Sequence, residues 1–292
     1  MELQTVQIQK KLTVKKKLNY VYLIQKNKMT CIGLGLLLSI VMLALLVPLI
    51  SPYDPTKIDV ISKFQSPSWK HWFGTDEVGR DLLTRTLYGA RLSLGVGIVC
   101  IAIAGTVGLI VGSIAGYFGG LIDQTIMRIM DMMLAFPMLI LAMALTAALG
   151  PSLQNALLAL AIVEIPIYVR LARGQALMLR RTLYVRSAET FGIHPLRIIG
   201  RHVIPNAVSP LIIQATLDIG DAILMIATLG FLGLGAQPPT PEWGAMISVG
   251  WKYLLDYWWY PVFPGTFLFL SSMALNLIGD GIRDWLDPKA NR

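Results

Sequence analysis

Long apolar runs alternate with short polar segments along this chain, and six of the runs are long enough to matter: residues 29–50, 90–116, 122–149, 152–171, 207–234 and 262–279. A helix that crosses a bilayer needs about 20 mostly apolar residues. Lipid offers no partner for an exposed backbone N–H or C=O, so a crossing segment has to satisfy its own backbone. Six membrane-spanning helices are therefore expected, in an all-α polytopic protein. The first run follows a basic tail, as a secretory signal would. It has about twice the apolar length of a signal core and no small-residue cleavage pattern after it, so a retained helix is expected.

Composition agrees: 55% of the 292 residues are hydrophobic, 14% are charged, and mean hydropathy is +0.62. Soluble domains carry roughly 25% charged residues. The net charge of +8 is uneven. Lys10, Lys11, Lys15, Lys16, Lys17, Lys26 and Lys28 precede the first run, and Arg173, Arg180, Arg181, Arg186, Arg197 and Arg201 fall between the fourth and fifth. Positive segments stay in the cytoplasm. With six spans this places both termini and residues 187–206 on the cytoplasmic side, in agreement with Arg283, Lys289 and Arg292. The basic excess then needs no nucleic acid to explain it. The expected organisation is a basic tail (1–28), a first membrane helix (29–50), an external segment (51–89) and a core of five membrane helices (90–292). The core includes a cytoplasmic loop at 173–206 and an external loop at 236–260.

Gly108, Gly112, Gly116 and Gly120 recur every four residues and form a stripe without side chains. Such stripes let helix backbones approach closely in lipid, where apolar burial gives no net drive for association. The segment "HWFGTDEVGRDLLTRTLYGARLSLGVG" holds His71, Asp76 and Glu77 near one another, but Gly74, Gly79 and the lack of a second histidine favour a structured turn over a metal site. Trp243, Trp251, Tyr253, Tyr257, Trp258, Trp259 and Tyr260 crowd the second external loop. An interfacial aromatic belt accounts for them, and a docking surface for an external partner is the alternative. Cys31 and Cys100 both fall in apolar runs and lack zinc-like spacing, as packing residues do.

Catalytic signatures are absent. There is no Gly-Lys dipeptide and so no phosphate-cradling loop, and neither HExxH nor GxSxG occurs. Three acids do lie within apolar runs: Glu164, Asp218 and Asp221. A charged Asp at the bilayer centre costs about 2.5–3.5 kcal/mol on insertion scales. Asp218 and Asp221, spaced i and i+3, share one side of a helix. They and Glu164 are candidates to line a translocation path and favour a positively charged group, with hydrogen bonding to neighbouring helices as the structural alternative. A proton-coupled carrier is the different-class reading, though no inverted repeat is visible.

The stretch "SAETFGIHPLRIIGRHVIPN" belongs to neither a membrane span nor an ordinary loop. It resembles the cytoplasmic coupling motif of binding-protein-dependent ABC importer permeases, an Ala-rich turn followed by a fixed Gly and then a hydrophobic-Pro pair. Gly192 and Ile204-Pro205 match in spacing. Counting back from Gly192, the motif's opening Glu-Ala-Ala falls on Arg186, Ser187 and Ala188, so its Glu is absent; Glu189 follows. "HWFGTDEVGRDLLTRTLYGARLSLGVG", "AGYFGGLIDQTIMRIMDMMLAFP", "FLGLGAQPPTPEWGAM" and "NLIGDGIRDWLDP" are similar, in that order, to blocks of the C-type permeases of dipeptide, oligopeptide and nickel importers.

The resemblance implies the type I ABC importer permease fold, with a coupling helix that ends near Gly192 and is bracketed by Pro195 and Pro205. It also implies a B-type permease partner, two cytoplasmic ATP-binding subunits and an external substrate-binding protein, in a bacterial inner membrane. No cofactor is expected on this chain; ATP and magnesium would be held by the ATPase subunits. For substrate, "RLARGQALMLR" and "ILMIATLGFLGLGAQ" look closest to the dipeptide branch, whereas "ATLDIG" also resembles the nickel branch.

Overall fold

The structure is a computed structural model, and it describes residues 28–286. Most of the expected basic tail, together with Lys289 and Arg292, lies outside the described residues. The helices in chain order are α1 (Lys28–Ile50), α2 (Leu82–Phe118), α3 (Gly120–Leu134), α4 (Met138–Leu149), α5 (Leu153–Arg180), α6 (Leu183–Thr190), α7 (Pro195–Ile198), α8 (Ile204–Phe231), α9 (Trp243–Trp251) and α10 (Trp259–Leu286). Five of them, with α7 and α8 counted as one, are long and apolar enough to cross a membrane. The expected third span, 122–149, is not continuous: it is two helices, α3 and α4, bent by 93°, which together are long and apolar enough to count as a sixth, broken span. The break falls at Ala135-Phe136-Pro137, where Pro137 has no N–H to donate and pushes the residue before it out of the helical region.

The α2–α5 pair is the spine of the bundle. A Cβ built on Gly108 would lie 2.3 Å from Tyr168 Cβ, one on Gly112 2.4 Å from the Val169 carbonyl oxygen, and one on Gly116 2.6 Å from the Arg173 carbonyl oxygen. The expected stripe is thus a contact line for these three glycines. Gly120 leaves it, because α2 ends at Phe118 and Gly120 opens α3 with nothing within 4 Å of its Cβ position. The bent α3–α4 arm is held to α5 by ion pairs. Arg173 meets Asp123 through two contacts of 2.5 and 2.7 Å, and Arg170 meets Asp131 at 2.6 Å.

At the opposite end of α2, Asp81 caps the helix by accepting from the Thr84 amide. The expected boundary at residue 90 is therefore moved: the helix starts at Leu82, within the segment read as external, because an N-cap aspartate precedes an unbroken helical run. Burial raises the Asp81 carboxyl above its ordinary range, against the hydrogen bonds of Thr84 and His71. His71 Nδ1 faces Asp81 at 3.4 Å, away from Asp76 and Glu77. Asp76 is fully buried between Arg80 (2.6 Å) and Arg85 (3.4 Å), and Tyr260 donates a hydrogen bond to Glu77. This network ties the segment 51–81 to the start of α10.

The aromatic loop also differs from a simple interfacial belt. It contains α9, capped by the Glu242 carboxylate, which accepts from the Gly244 and Ala245 amides. Burial raises the Glu242 carboxyl above its usual range, opposed by those two amides and by Ser93. Trp243 is completely buried and donates through Nε1 to the Thr86 carbonyl at 2.9 Å. Trp259 and Tyr260 are buried as well, while Trp251 and Trp258 remain exposed. Among the described residues, six of the seven rings have a partner within the protein: Trp243 and Tyr260 hydrogen-bond, and Tyr253, Tyr257, Trp258 and Trp259 contact neighbouring rings.

Candidate functional site

The segment between α5 and α8 is built from turn chemistry. The loop expected at 173–206 is shortened at its start, because α5 continues to Arg180. After the turn at Arg181-Thr182 comes α6, eight residues long. Its end is a Schellman cap: the Gly192 amide donates to the Glu189 carbonyl at 3.0 Å and the Ile193 amide to the Ala188 carbonyl at 3.1 Å. The cap places Gly192 at φ +72°, the left-handed region that glycine enters without strain. Pro195 opens α7, whose Leu196 amide is capped by the His194 ring at 3.3 Å. A widened turn over Ile199–Val203 leads into α8, and Pro205, which has no N–H to donate, lies in the first turn after that widening.

The faces of α6 divide cleanly. Val185 and Ala188, one turn apart, are buried against Tyr117 of α2, Ala176 of α5, and Ile198, Ile199 and Val203; Ile193 and Ile204 pack on the rim of the same cluster. Arg186, Ser187 and Glu189 are exposed. Beside them large apolar side chains stand in the open: Leu183 is 84% exposed and Phe191 86%, with Leu196 also exposed. Single exposed apolar residues are ordinary. Leu183, Phe191 and Leu196 flank this short capped helix at its two ends and in α7, where a protein partner would cover them.

The intramembrane acids meet at the α5–α8 contact. Tyr168 donates its hydroxyl to Asp218 Oδ2 at 2.7 Å, and Gln214 donates to Oδ1 at 2.8 Å, so both oxygens of this carboxylate are occupied. Glu164, one turn before Tyr168, is 3% exposed, and its Oε2 has no hydrogen-bond partner among the described residues. It lies within electrostatic reach of Asp218 and Asp221. Asp221 is exposed on the chain's surface. The three candidates are therefore brought together, with Asp218 tied to neighbouring groups and Asp221 open. Tyr168 and Gln214 were missed from the sequence. Gln214 carried a readable signal, four residues before Asp218 on the same helix face; Tyr168 carried none, since its role depends on how α5 crosses α8.

Comparison with known proteins agrees with this architecture. Residues 108–292 match the family described as binding-protein-dependent transport system inner membrane component, and residues 24–67 match the N-terminal membrane domain of oligopeptide transport permease C. The chain is 52% identical over 270 residues, 92% of its length and 91% of the relative's, to the probable D,D-dipeptide transport system permease protein DdpC of Escherichia coli (strain K12). It is 47% identical over 266 residues, 91% and 88% of the two chains, to the dipeptide transport system permease protein DppC of Alkalihalophilus pseudofirmus. It is 45% identical over 269 residues, 90% and 89%, to the di/tripeptide transport system permease protein DppC of Pseudomonas aeruginosa (strain UCBPP-PA14). These matches displace the proton-coupled carrier. With its apolar spans, its capped helix between α5 and α8 and its lack of any nucleotide-binding loop, the chain belongs to the family of binding-protein-dependent transport system inner membrane components, the multi-pass permease subunits of ABC importers, which work with ATPases and a binding protein and are not enzymes themselves.

Proposed function

We propose that this chain is the C-type half of a peptide importer, paired with a B-type permease and moved by two ATPases through α6. The observation that carries the coupling reading is the form of that helix: rigidly capped at Gly192, seated on an apolar cluster, and presenting Leu183, Phe191 and Leu196 outward. ATP and magnesium belong to the ATPase subunits. The arginines of the α5–α8 segment and the lysines of the tail favour a cytoplasmic position for α6 and for both termini. Among substrates, dipeptides fit best with the names of the relatives, which include D,D-dipeptide, dipeptide and di/tripeptide permeases; nickel is the second reading, held by the likeness of "ATLDIG" alone.

Glu164, Asp218 and Asp221 are proposed to line the path and to favour the peptide's ammonium group. The experiment is ATP-driven uptake into proteoliposomes carrying the complete importer and its binding protein. Labelled alanyl-alanine, in L,L or D,D form, is expected to accumulate, and nickel ions are not. Asp218→Asn with Asp221→Asn keeps size and most hydrogen bonding while removing charge. A contact to a charged group is worth about 1.5–3 kcal/mol, so uptake is expected to fall about tenfold or more at unchanged assembly. Nickel uptake without dipeptide uptake would overturn the substrate assignment, and wild-type uptake by the double variant would remove the path assignment.

A further inference from the structure

Resting on the coupling reading of α6, we propose that Tyr117, near the end of α2, is the positioning residue through which α6 moves the membrane bundle, with Glu189 and Arg180 as its latch. The backbone of α6 packs on the end of α5 and on α7, and it reaches α2 through side chains. Tyr117 is that bridge. It is 5% exposed and lodged among Val185 and Ala188 of α6, Ala176 of α5, and Ile198, Ile199 and Val203 beyond. Ile114, one turn back on α2, packs on the rim of the same cluster. The ring's polar end is engaged too. Tyr117, Glu189 of α6 and Arg180 line one groove, in which the hydroxyl and the carboxylate interact electrostatically, and the Arg180 guanidinium lies over the ring, 5.8 Å from its centre. One aromatic side chain of α2 therefore shares a buried cluster with the helix that would be pushed, the end of the helix before it, and the segment leading into α8.

Three physical features make this contact a transmitter and not simply packing. Interiors are close-packed, so a displaced α6 carries a lodged ring with it instead of sliding past. The same groove, open at the surface, about 540 Å³ in volume and lined by Tyr117, Phe118, Arg180, Glu189, Gly192 and His194 among others, adjoins this contact and leaves room for α6 to tilt. And α2 is itself locked along α5 by the close approaches at Gly108, Gly112 and Gly116, while its far end is held in the Asp76–Arg80–Arg85 network. A shift entering at Tyr117 is thereby delivered along the whole spine to the opposite face. The latch is polar, so it can open and close where an all-apolar contact would only loosen.

The test uses the complete importer in proteoliposomes, with Tyr117→Phe, which keeps the ring and removes the hydroxyl, with Glu189→Gln, and with both together. For Tyr117→Phe, whose side chain is buried beneath α6 and away from its exposed face, ATPase subunits are expected to copurify as in the wild type with unchanged basal hydrolysis. Stimulation of hydrolysis by the binding protein loaded with alanyl-alanine is expected to fall about fivefold to tenfold, the size of a typical coupling between sites. The double variant should be no worse than either single one, because both remove the same contact. Stimulation within about twofold of wild type in both single variants would overturn the proposal, as would a double variant whose loss is the product of the two. Loss of the ATPases from Glu189→Gln would overturn it too, by placing Glu189 in docking and not in transmission. The coupling reading itself stands or falls separately, on whether the cap at Gly192 is needed to recruit the ATPases.

Discussion

Gly112→Val is expected to leave little folded permease. Even the first carbon of the new side chain would lie 2.4 Å from the Val169 carbonyl oxygen, 2.8 Å from Ala172 Cβ and 3.0 Å from the Arg173 amide nitrogen. Two of these are backbone atoms of α5, which cannot turn aside as a side-chain tip can. Overfilling a packed contact costs about 1–3 kcal/mol when neighbours can shift; here α5 would have to be driven off the α2 spine, so a loss at or beyond the top of that range is expected. Gly105→Ala is the control. Its Cβ would meet the Tyr168 ring at 3.6 Å, an ordinary contact. Yield of monodisperse protein and melting temperature in detergent measure both. A Gly112→Val protein that melts with the wild type would show that the α2–α5 line is not the spine described here.

Gly192→Val is expected to do the opposite, sparing the bundle and disabling α6. Among the described residues nothing lies within 4 Å of the Cβ position, so no clash arises; the cost is in the backbone, held at φ +72°. A residue with a side chain pays on the order of 1–2 kcal/mol for that conformation, and a β-branched one pays most. The two cap bonds at Glu189 and Ala188 would open and α6 would fray from its C-terminal end. ATPase copurification is expected to drop about tenfold, as about 1.4 kcal/mol of lost cap corresponds to one decade, while melting of the membrane bundle stays unchanged. Gly192→Asn, which tolerates the left-handed region, should fall between valine and wild type. A valine variant with full ATPase recruitment would remove the coupling role from this helix.

How much of this was legible depended on whether the deciding force was local. The apolar runs declared themselves because lipid imposes a length on every crossing helix. The turns around α6 were legible for a similar reason, since Gly192, Pro195 and Pro205 each act on their own backbone. Pro137 carried the same kind of signal, and the continuous 122–149 span overlooked it; so did Asp81, the cap that begins α2 eight residues before the predicted start. What was not legible were the meetings of distant segments. Nothing near Trp243 in sequence says that its indole reaches Thr86, and nothing near Tyr168 says that it ties down Asp218. The glycine stripe shows the boundary between the two kinds of inference: period four found the contact line, but only the end of α2 at Phe118 shows that Gly120 is not on it.

The most direct test of the account is where α6 sits in the assembled importer. With Cys31 and Cys100 replaced, single cysteines are placed at Ser66 in the segment before α2 and at Ser187 on the exposed face of α6, both solvent-exposed. An impermeant thiol reagent on intact cells should label the cysteine at residue 66 and spare that at 187, inverted vesicles should reverse the pattern, and a short bifunctional cross-linker should join residue 187 to an ATPase subunit. Labelling of residue 187 from outside, or its failure to cross-link to any ATPase, would contradict the claim that this helix is where ATP hydrolysis takes hold of the membrane bundle.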